Sequence, residues 1–186
     1  MIGKLPKELE VNGVMRSIQS DFRIALLIFQ AYNDSELSDW DKTIVMLDCL
    51  YDDFDSFSQN DIQDAMDKAV WFLDGGKELE ETKQPRKLID WEQDEQIMFP
   101  AINKVAGYEI RSTEYLHWWT FLGFFYEIGE GLFSTVINIR QKKVKGKKLE
   151  KYEQEFYRDN RQLIDIAVRY SEEEQAEIDR LNKLLG

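Results

Sequence analysis

The most apolar stretch of the chain covers residues 115–126 and has the sequence YLHWWTFLGFFY. Arranged as a helix, these side chains leave almost no polar face, which is typical of a helix buried on most sides. We therefore predict a central helix over residues 112–128. Core packing is the main role expected for its aromatic side chains, because large apolar side chains are usually buried. Any part left exposed would serve as an interface anchor, since tryptophan and tyrosine are enriched at binding sites.

Helical periodicity continues on both sides of this central helix. Ser, Asp and Asn residues, whose side chains accept hydrogen bonds from free backbone N–H groups, mark several helix starts. Pro100 falls inside one of these helices, where we expect a kink or a break. Ser171 and Glu174 have the spacing of a capping box. Four helices are predicted before the central helix, and they start at Ser20 or Asp21, at Ser38 or Asp39, at Asn60 or Asp61 and at Asp90. Three more are predicted after it, over residues 132–140, 149–170 and 171–185.

One strand signal lies near the N-terminus. Residues 9–11 and 14–16 flank Asn12-Gly13, a dipeptide that accepts the positive φ angles of a type I′ hairpin turn. An isolated hairpin is only marginally stable, so Leu9, Val11 and Val14 should pack together on a helix.

These patterns predict a mainly α protein, a compact multi-helix domain with a short N-terminal β-hairpin. Residues 1–186 form one domain. The polar stretch over residues 76–89 is the best candidate for a mobile connection. The helix over residues 171–185 either packs on this domain or forms an appendage.

Composition limits the classes of partner. The chain has 186 residues, with 36 acidic and 24 basic side chains and a formal net charge of −12. Such a charge disfavours nucleic acid and anionic membranes as partners, and it favours solubility or a basic partner. The longest apolar stretch, residues 118–139, contains two glutamates and three glycines, which a membrane helix tolerates poorly. We expect a soluble intracellular protein. The sequence leaves open whether it forms a homo-oligomer.

Few residues are available for catalysis. His117 is the single histidine and Cys49 the single cysteine, so a histidine-based zinc site, a thiolate cluster and an intramolecular disulfide are excluded. On the predicted helix, His117 and Glu127 would lie about 15 Å apart, too far for an acid–base pair. A calcium loop starting at Asp53 fails, because Ser58 occupies the position of its required glycine. We predict a non-enzymatic protein with no catalytic, cofactor or metal site.

Three regions remain as candidates for binding a protein partner. The first is the aromatic helix, and the second is the basic run over residues 140–148. Without interleaved aromatic residues, this run favours exposed helix-end cations or an acidic protein partner over nucleic acid. The third is the apolar stripe of the last helix, which docks on the core or lies in a groove of a partner. The candidate interface residues are Trp118, Trp119, Phe121, Phe125, Tyr126, Lys143, Lys145, Lys147, Ile178, Leu181 and Leu185.

Several short sequence segments resemble segments of a known protein family. They are DWEQD at residues 90–94, FPAINKV at 99–105, YLHWWTF at 115–121 and KGKKLE at 145–150, together with residues 5–6, 11–13 and 21–23. In this order, and over nearly the whole chain, they resemble the gene-product-fifteen family of tailed phages and prophages of Gram-positive bacteria.

The resemblance implies a tail assembly chaperone, because members of the family are encoded near the tape-measure gene. Such a chaperone would bind the tape-measure protein in the host cytoplasm, recruit tail-tube subunits and be absent from the mature virion. The resemblance implies no catalytic residue in this chain. The alternative is a structural virion protein, a neck or tail-completion component that stays in the particle. An acidic decoy of a DNA-binding protein and a hydrolase that uses carboxylates alone are weaker hypotheses.

Overall fold

The computed structural model describes residues 3–77 and 87–185 of the chain. It begins with an antiparallel hairpin of β1 (Glu8–Val11) and β2 (Val14–Ser17), in which Val11 lies opposite Val14. The turn residues Asn12 and Gly13 have φ angles of 47° and 80°. Both values are positive, as a type I′ turn requires. The predicted hairpin is thereby confirmed.

Three helices follow the hairpin, namely α1 (Phe22–Tyr32), α2 (Asp39–Leu50) and α3 (Ile62–Leu73). The carboxylate of Asp21 accepts the N–H of Arg23 at the start of α1. Ser38 forms a capping box with Asp41 at the start of α2. These side chains satisfy backbone donors that have no partner inside the helix, which is why the helices start at these residues.

The hairpin packs on α3 through one strand. Leu9 and Val11 of β1 are buried, and β1 is the strand that contacts α3. The side chain of Asn12 anchors the turn by donating to Asp61 at the start of α3, at 2.8 Å. Val14, expected to share the buried face, is 50% exposed, because β1 is the strand that packs on α3.

The middle of the chain forms α4 (Glu95–Ala106), α5 (Trp118–Tyr126) and α6 (Leu132–Val144). Helix α4 starts at Glu95, later than predicted, and continues past Pro100 without a break. Helix α5 also starts later than predicted. The carbonyl of Leu116 accepts the N–H of Phe22, and the N–H of Trp118 donates to the carbonyl of Ser20. These bonds hold the preceding residues extended beside the start of α1.

The C-terminal part contains α7 (Lys151–Asp159), α8 (Arg161–Ile164) and α9 (Glu172–Leu185). The single helix predicted over residues 149–170 is therefore wrong. The helix is interrupted at Asn160 and ends at Ile164, where the carbonyls of Leu163 and Ile164 accept hydrogen bonds from Arg140. The capping box predicted at the start of α9 is confirmed by mutual bonds between Ser171 and Glu174.

The aromatic helix α5 lies at the centre of the core, as predicted. The ring of Phe121 stacks on Phe22 of α1 at 4.9 Å, and the indole N–H of Trp118 donates to the carbonyl of Leu73 at 2.9 Å. Helices α1 and α4 pack against it, and α2, α3 and the hairpin contribute side chains to the same core. A smaller apolar cluster joins α6 to α8.

The predicted mobile connection over residues 76–89 falls mostly on residues 78–86, which lie outside the described residues. Its described ends are held in place. The N–H of Gly76 donates to the carbonyl of Trp71 at 2.9 Å, and the ammonium of Lys87 donates to Asp90 at 2.7 Å.

Candidate protein-binding surface

Two of the aromatic interface candidates, Trp118 and Phe121, are buried in the core. Trp118 is 1% exposed and Phe121 is 0% exposed. Both belong to the face of α5 that packs against α1, and the indole N–H of Trp118 is bonded inside the core. Trp119 is half-buried, with its indole N–H donating to the carbonyl of Phe72 at 2.8 Å.

The end of α5 does reach the surface. Phe125 is half-buried, with its ring 5.3 Å from that of Trp91 and 5.7 Å from that of Phe133. Tyr126 is 60% exposed. An aromatic side chain that keeps a fixed position on the core while exposing one side is well suited to anchor a partner.

An apolar groove of about 520 Å³ lies next to this point, between α4 and the start of α6. Val105 and Leu132 stand at its edges, 36% and 49% exposed. Pro100 and Ile128 contribute further apolar surface to it. A groove of this kind fits the apolar face of a helix.

The groove continues along α6. A second hollow, of about 250 Å³, is lined by Tyr126, Ile137 and Asn138, and it shares Ile128 and Phe133 with the groove. A third hollow, of about 270 Å³, shares Asn138 with the second. We call this continuous strip, from the α4–α6 groove to the end of α6, the α6 surface.

The far end of the α6 surface is basic. Lys145 and Lys147 line the third hollow and are exposed. Within the described part of the chain, neither lysine forms an ion pair with a carboxylate. Lys143 differs from them, because its ammonium pairs with Asp165 and lies 3.8 Å from the centre of the Tyr157 ring. Lys145 and Lys147 are therefore available to meet a partner.

The candidates on α9 lie apart from the α6 surface. Ile178 is half-buried, and Leu181 is 50% exposed. Neither lines a hollow of the α6 surface. The side chain of Leu185 lies outside the described residues.

A buried ion pair holds α6 in place, and sequence reasoning missed it. Arg140 of α6 donates to both carboxylate oxygens of Asp94, at 2.6 and 2.8 Å. Its remaining donors reach the carbonyls of Leu88, Leu163 and Ile164. A fully bonded guanidinium of this kind is structural. The available signal was the spacing of Arg140 after Val136, one helical turn along the buried face.

Asp90 is a second buried carboxylate beside this pair. Burial by itself would raise its pKa, but hydrogen bonds from the N–H of Gln93 and from Lys87, with the charges of Lys87 and Arg169, lower the pKa to about 2. Asp90 is therefore ionised at neutral pH, and both of its carboxylate oxygens accept hydrogen bonds within the protein. A carboxylate in this state stabilises the fold and is poorly suited to act as a general acid.

His117 is buried and has both ring nitrogens occupied. Its Nδ1 accepts the N–H of Trp119 at 3.0 Å, and its Nε2 lies 2.8 Å from the carbonyl of Pro6. Because the carbonyl can only accept, Nε2 carries the proton and the ring is neutral. Burial lowers the pKa of His117. The histidine is the N-cap of α5, and Glu127, its hypothetical partner, is exposed.

The remaining chemically reactive groups offer little. Burial raises the pKa of the Cys49 thiol, as does the charge of Asp48, which makes it a poor nucleophile. Residues 3–77 and 87–185 place no three His, Cys, Asp or Glu side chains where they would hold a metal ion together. None of the helices in these ranges has the length and apolar character needed to cross a membrane.

The fold and this surface define a mainly helical protein with an open strip, apolar at one end and basic at the other. A family model described as Bacteriophage Gp15 protein matches residues 1–166, and the chain belongs to this family. It is thus a phage structural or morphogenesis protein. The match includes the whole α6 surface and leaves α9 outside. No curated protein matches the chain, and no solved structure matches it.

Proposed function

We propose that the protein is a non-enzymatic tail assembly chaperone that holds an amphipathic helix of the phage tape-measure protein on the α6 surface. Bound in this way, the tape-measure protein stays soluble while tail-tube subunits are recruited. The observation that carries the proposal is the continuity of the apolar groove with the basic end of α6. Membership of a phage family supports it.

The shape of the strip favours a helix as its occupant. Helix α6 has 13 residues and is therefore about 20 Å long. Its first turns border the apolar groove, and Lys145 and Lys147 follow its last turn. A helix with apolar residues at i, i+3 and i+7 and carboxylates near one end would bury its stripe and meet the lysines.

The charge of the rest of the chain supports the same proposal. The formal net charge is −12, so the exposed lysines at the end of α6 form a local reversal of sign. Such a reversal orients an approaching partner, because like charges elsewhere repel its acidic end. The overall negative charge also keeps the chaperone and its cargo from aggregating.

Co-expression with the tape-measure protein of the same phage tests the proposal. We expect the tape-measure protein to become soluble and to co-purify. Leu132→Glu should reduce the recovered complex roughly tenfold or more, because burial of one leucine is worth about 1.5–3 kcal/mol. Position 132 is the first residue of α6, where a glutamate is compatible with the helix.

Leu5→Glu is the matched control. Leu5 is 48% exposed, against 49% for Leu132, and it does not line the α6 surface. The control should therefore bind like the natural protein. Equal losses from both variants, or no complex with the natural protein, would exclude the proposed binding mode.

Mass spectrometry of purified virions separates the chaperone from a structural virion component. A chaperone leaves the assembled tail, so its peptides should be absent or far below one copy per tail. A fixed number of copies in every particle would instead establish a neck or tail-completion component.

A further inference from the structure

The outer edge of strand β1 carries backbone groups without partners. Hydrogen bonds of an antiparallel pair join alternate residues, and the N–H of Ile18 donates to the carbonyl of Lys7 at 2.9 Å. By this alternation, the N–H and carbonyl groups of Glu8 and Glu10 point away from β2. Within the described residues, none of these groups has a hydrogen-bond partner. An edge of this kind can accept a further strand.

The outer edge of β1 runs beside helix α3. The N–H of Asn12, just after β1, donates to the carboxylate of Asp64 on α3 at 2.7 Å. Towards the start of β1, the strand and the helix border a groove of about 530 Å³. Asp67, Lys68 and Trp71 of α3 line it, and their spacing places them on one face of the helix with Asp64. We call it the β1–α3 groove.

The β1–α3 groove is acidic. Glu8 and Glu10 lie on the same face of β1, because side chains two apart in a strand point to the same side, and both are exposed, as is Asp67. Within the described part of the chain, none of these three carboxylates forms an ion pair. Lys68 is the single cation among the described residues that line the groove. The groove therefore attracts cationic side chains.

The same groove offers apolar contact. Met15, which lies opposite Glu10 in the hairpin, is 54% exposed, and Trp71 is half-buried. Both side chains line the groove. An extended chain placed there would bond to the free edge of β1 and cover apolar surface at the same time, which is how a peptide adds to the edge of a sheet.

A second copy of the chain is a poor occupant of this groove. Pairing two β1 edges about a two-fold axis would bring Glu8 and Glu10 of one copy opposite the same glutamates of the other. Like charges directly opposite each other destabilise a strand pair. Lysines or arginines at alternate positions of an incoming strand would instead form favourable pairs with both glutamates.

We propose that the β1–α3 groove binds an extended, basic segment of a partner protein, which adds to β1 as a third strand. Lysines or arginines two positions apart meet Glu8 and Glu10, and the apolar side chains between them point to the side of α3. The backbone of the segment bonds to the outward N–H and carbonyl groups of β1. The groove shares no lining residue with the α6 surface, so this interaction is independent of the proposed chaperone function.

Binding of a synthetic peptide to the full chain tests the charge preference. A fluorescent peptide Lys-Val-Lys-Val-Lys-Val should bind the natural protein, and its charge-reversed form Glu-Val-Glu-Val-Glu-Val should not. Glu8→Lys combined with Glu10→Lys should weaken binding of the lysine peptide at least roughly fivefold, because each position changes from an attractive to a repulsive pair. Binding of the glutamate peptide as tight as that of the lysine peptide would contradict the proposal.

Glu173→Lys combined with Glu177→Lys is the matched control. Both glutamates are exposed on α9, and this double variant makes the same change in net charge. At about 0.15 M salt, charges more than about 8 Å apart are largely screened, so the control should bind the peptide like the natural protein. Failure of the natural protein to bind, or the same loss in the two double variants, would overturn the proposal.

Backbone pairing needs its own test. The lysine peptide methylated at every backbone nitrogen keeps its charges but has no backbone N–H to donate, so its affinity should be at least roughly fivefold lower. In NMR spectra of the full chain, the amides of Glu8 and Glu10 should exchange more slowly when the unmodified peptide is bound. Equal affinity of the two peptides, or unchanged exchange of both amides, would exclude strand addition. A natural dimer that the peptide dissociates would assign the groove to a second copy and would also overturn the proposal.

Discussion

Arg140 uses every N–H of its guanidinium group inside the protein. Two donors meet Asp94, and the others meet carbonyls before α4 and at the end of α8. One side chain therefore joins α6, α4 and α8. Asp94 is 0% exposed, so removing its partner would leave a charge buried without compensation.

Arg140→Met tests this role. We expect the free energy of unfolding in urea to fall by about 3–5 kcal/mol, the usual cost of breaking a buried ion pair from one side. Lys148→Met removes an exposed cation and should change it by less than about 0.5 kcal/mol. A similar small change for Arg140→Met would show that the pair contributes little.

His117 makes the stability of the protein depend on pH. Burial lowers its pKa below the ordinary 6.5, and protonation of Nδ1 would remove the acceptor of the Trp119 N–H. The unfolded chain therefore binds the proton more readily. The stabilising contribution of neutral His117 is complete above pH 6.5 and is lost as the pH falls from there through the lower folded pKa.

Urea unfolding at about pH 7.5 and about pH 5 measures this effect. The natural protein should lose more stability over this interval than His117→Asn, because asparagine can cap a helix but does not titrate. Parallel pH dependence in the two proteins would show that His117 is not the titrating group.

The roles of some of these residues follow from the local sequence, whereas the roles of others depend on distant parts of the chain. Asn12-Gly13 has a conformational preference of its own, so its turn was predictable. Arg140 belongs to a run of cations in the sequence, and its ion pair depends on Asp94, 46 positions away. Trp118 and Tyr126 belong to one aromatic stretch, and only the packing of neighbouring helices decides which of them is buried.

Helix α3 ends against the aromatic helix α5. Gly76 has a φ angle of 82°, and a Cβ atom there would lie 2.8 Å from the Trp119 ring. The ring is fixed by the bond from its N–H to the carbonyl of Phe72. Glycine is thus required both for the backbone conformation and for the close approach.

Gly76→Ala and Gly107→Ala separate these two requirements. Gly107 has a φ angle of 81°, and a methyl group added there would meet no atom within 4 Å, so alanine should cost about 1–2 kcal/mol through strain alone. Gly76→Ala should cost about 1–3 kcal/mol more, because the methyl also displaces Trp119. Equal losses of unfolding free energy would show that the indole adapts without cost.

The existence of most helices was predictable, whereas several of their ends were not. Capping side chains close in sequence mark the starts of α1, α2 and α9. The start of α5 and the end of α8 coincide with bonds to distant residues, from Trp118 to Ser20 and from Arg140 to Ile164. Hydrogen bonds of this kind leave no signal in the hydrophobic periodicity of the sequence, so the predicted helices were too long at these points.

Across the whole molecule, the α6 surface is assembled from distant parts of the chain. Its groove joins residues 96–105 to residues 127–133, and its basic end lies at residues 145–147. The lysines and the aromatic stretch were both predicted as interface candidates. Their continuity, and the contribution of α4, required the packed structure.

The charge at the end of this surface predicts how binding responds to salt. Lys145→Glu combined with Lys147→Glu should weaken the complex with the tape-measure protein at low ionic strength, and the difference should shrink as screening increases. Leu132→Glu should weaken binding at every salt concentration, because apolar burial is not screened. Affinities measured by calorimetry over a salt series distinguish these patterns, and a salt-independent effect of the lysine variant would contradict the electrostatic role.

Hydrogen exchange of the co-purified complex with the tape-measure protein tests the binding surface most directly. We expect slower amide exchange over residues 96–105 and 127–147 than in the free protein, with little change in the hairpin. Unchanged exchange along these two segments, with protection elsewhere in the chain, would contradict it.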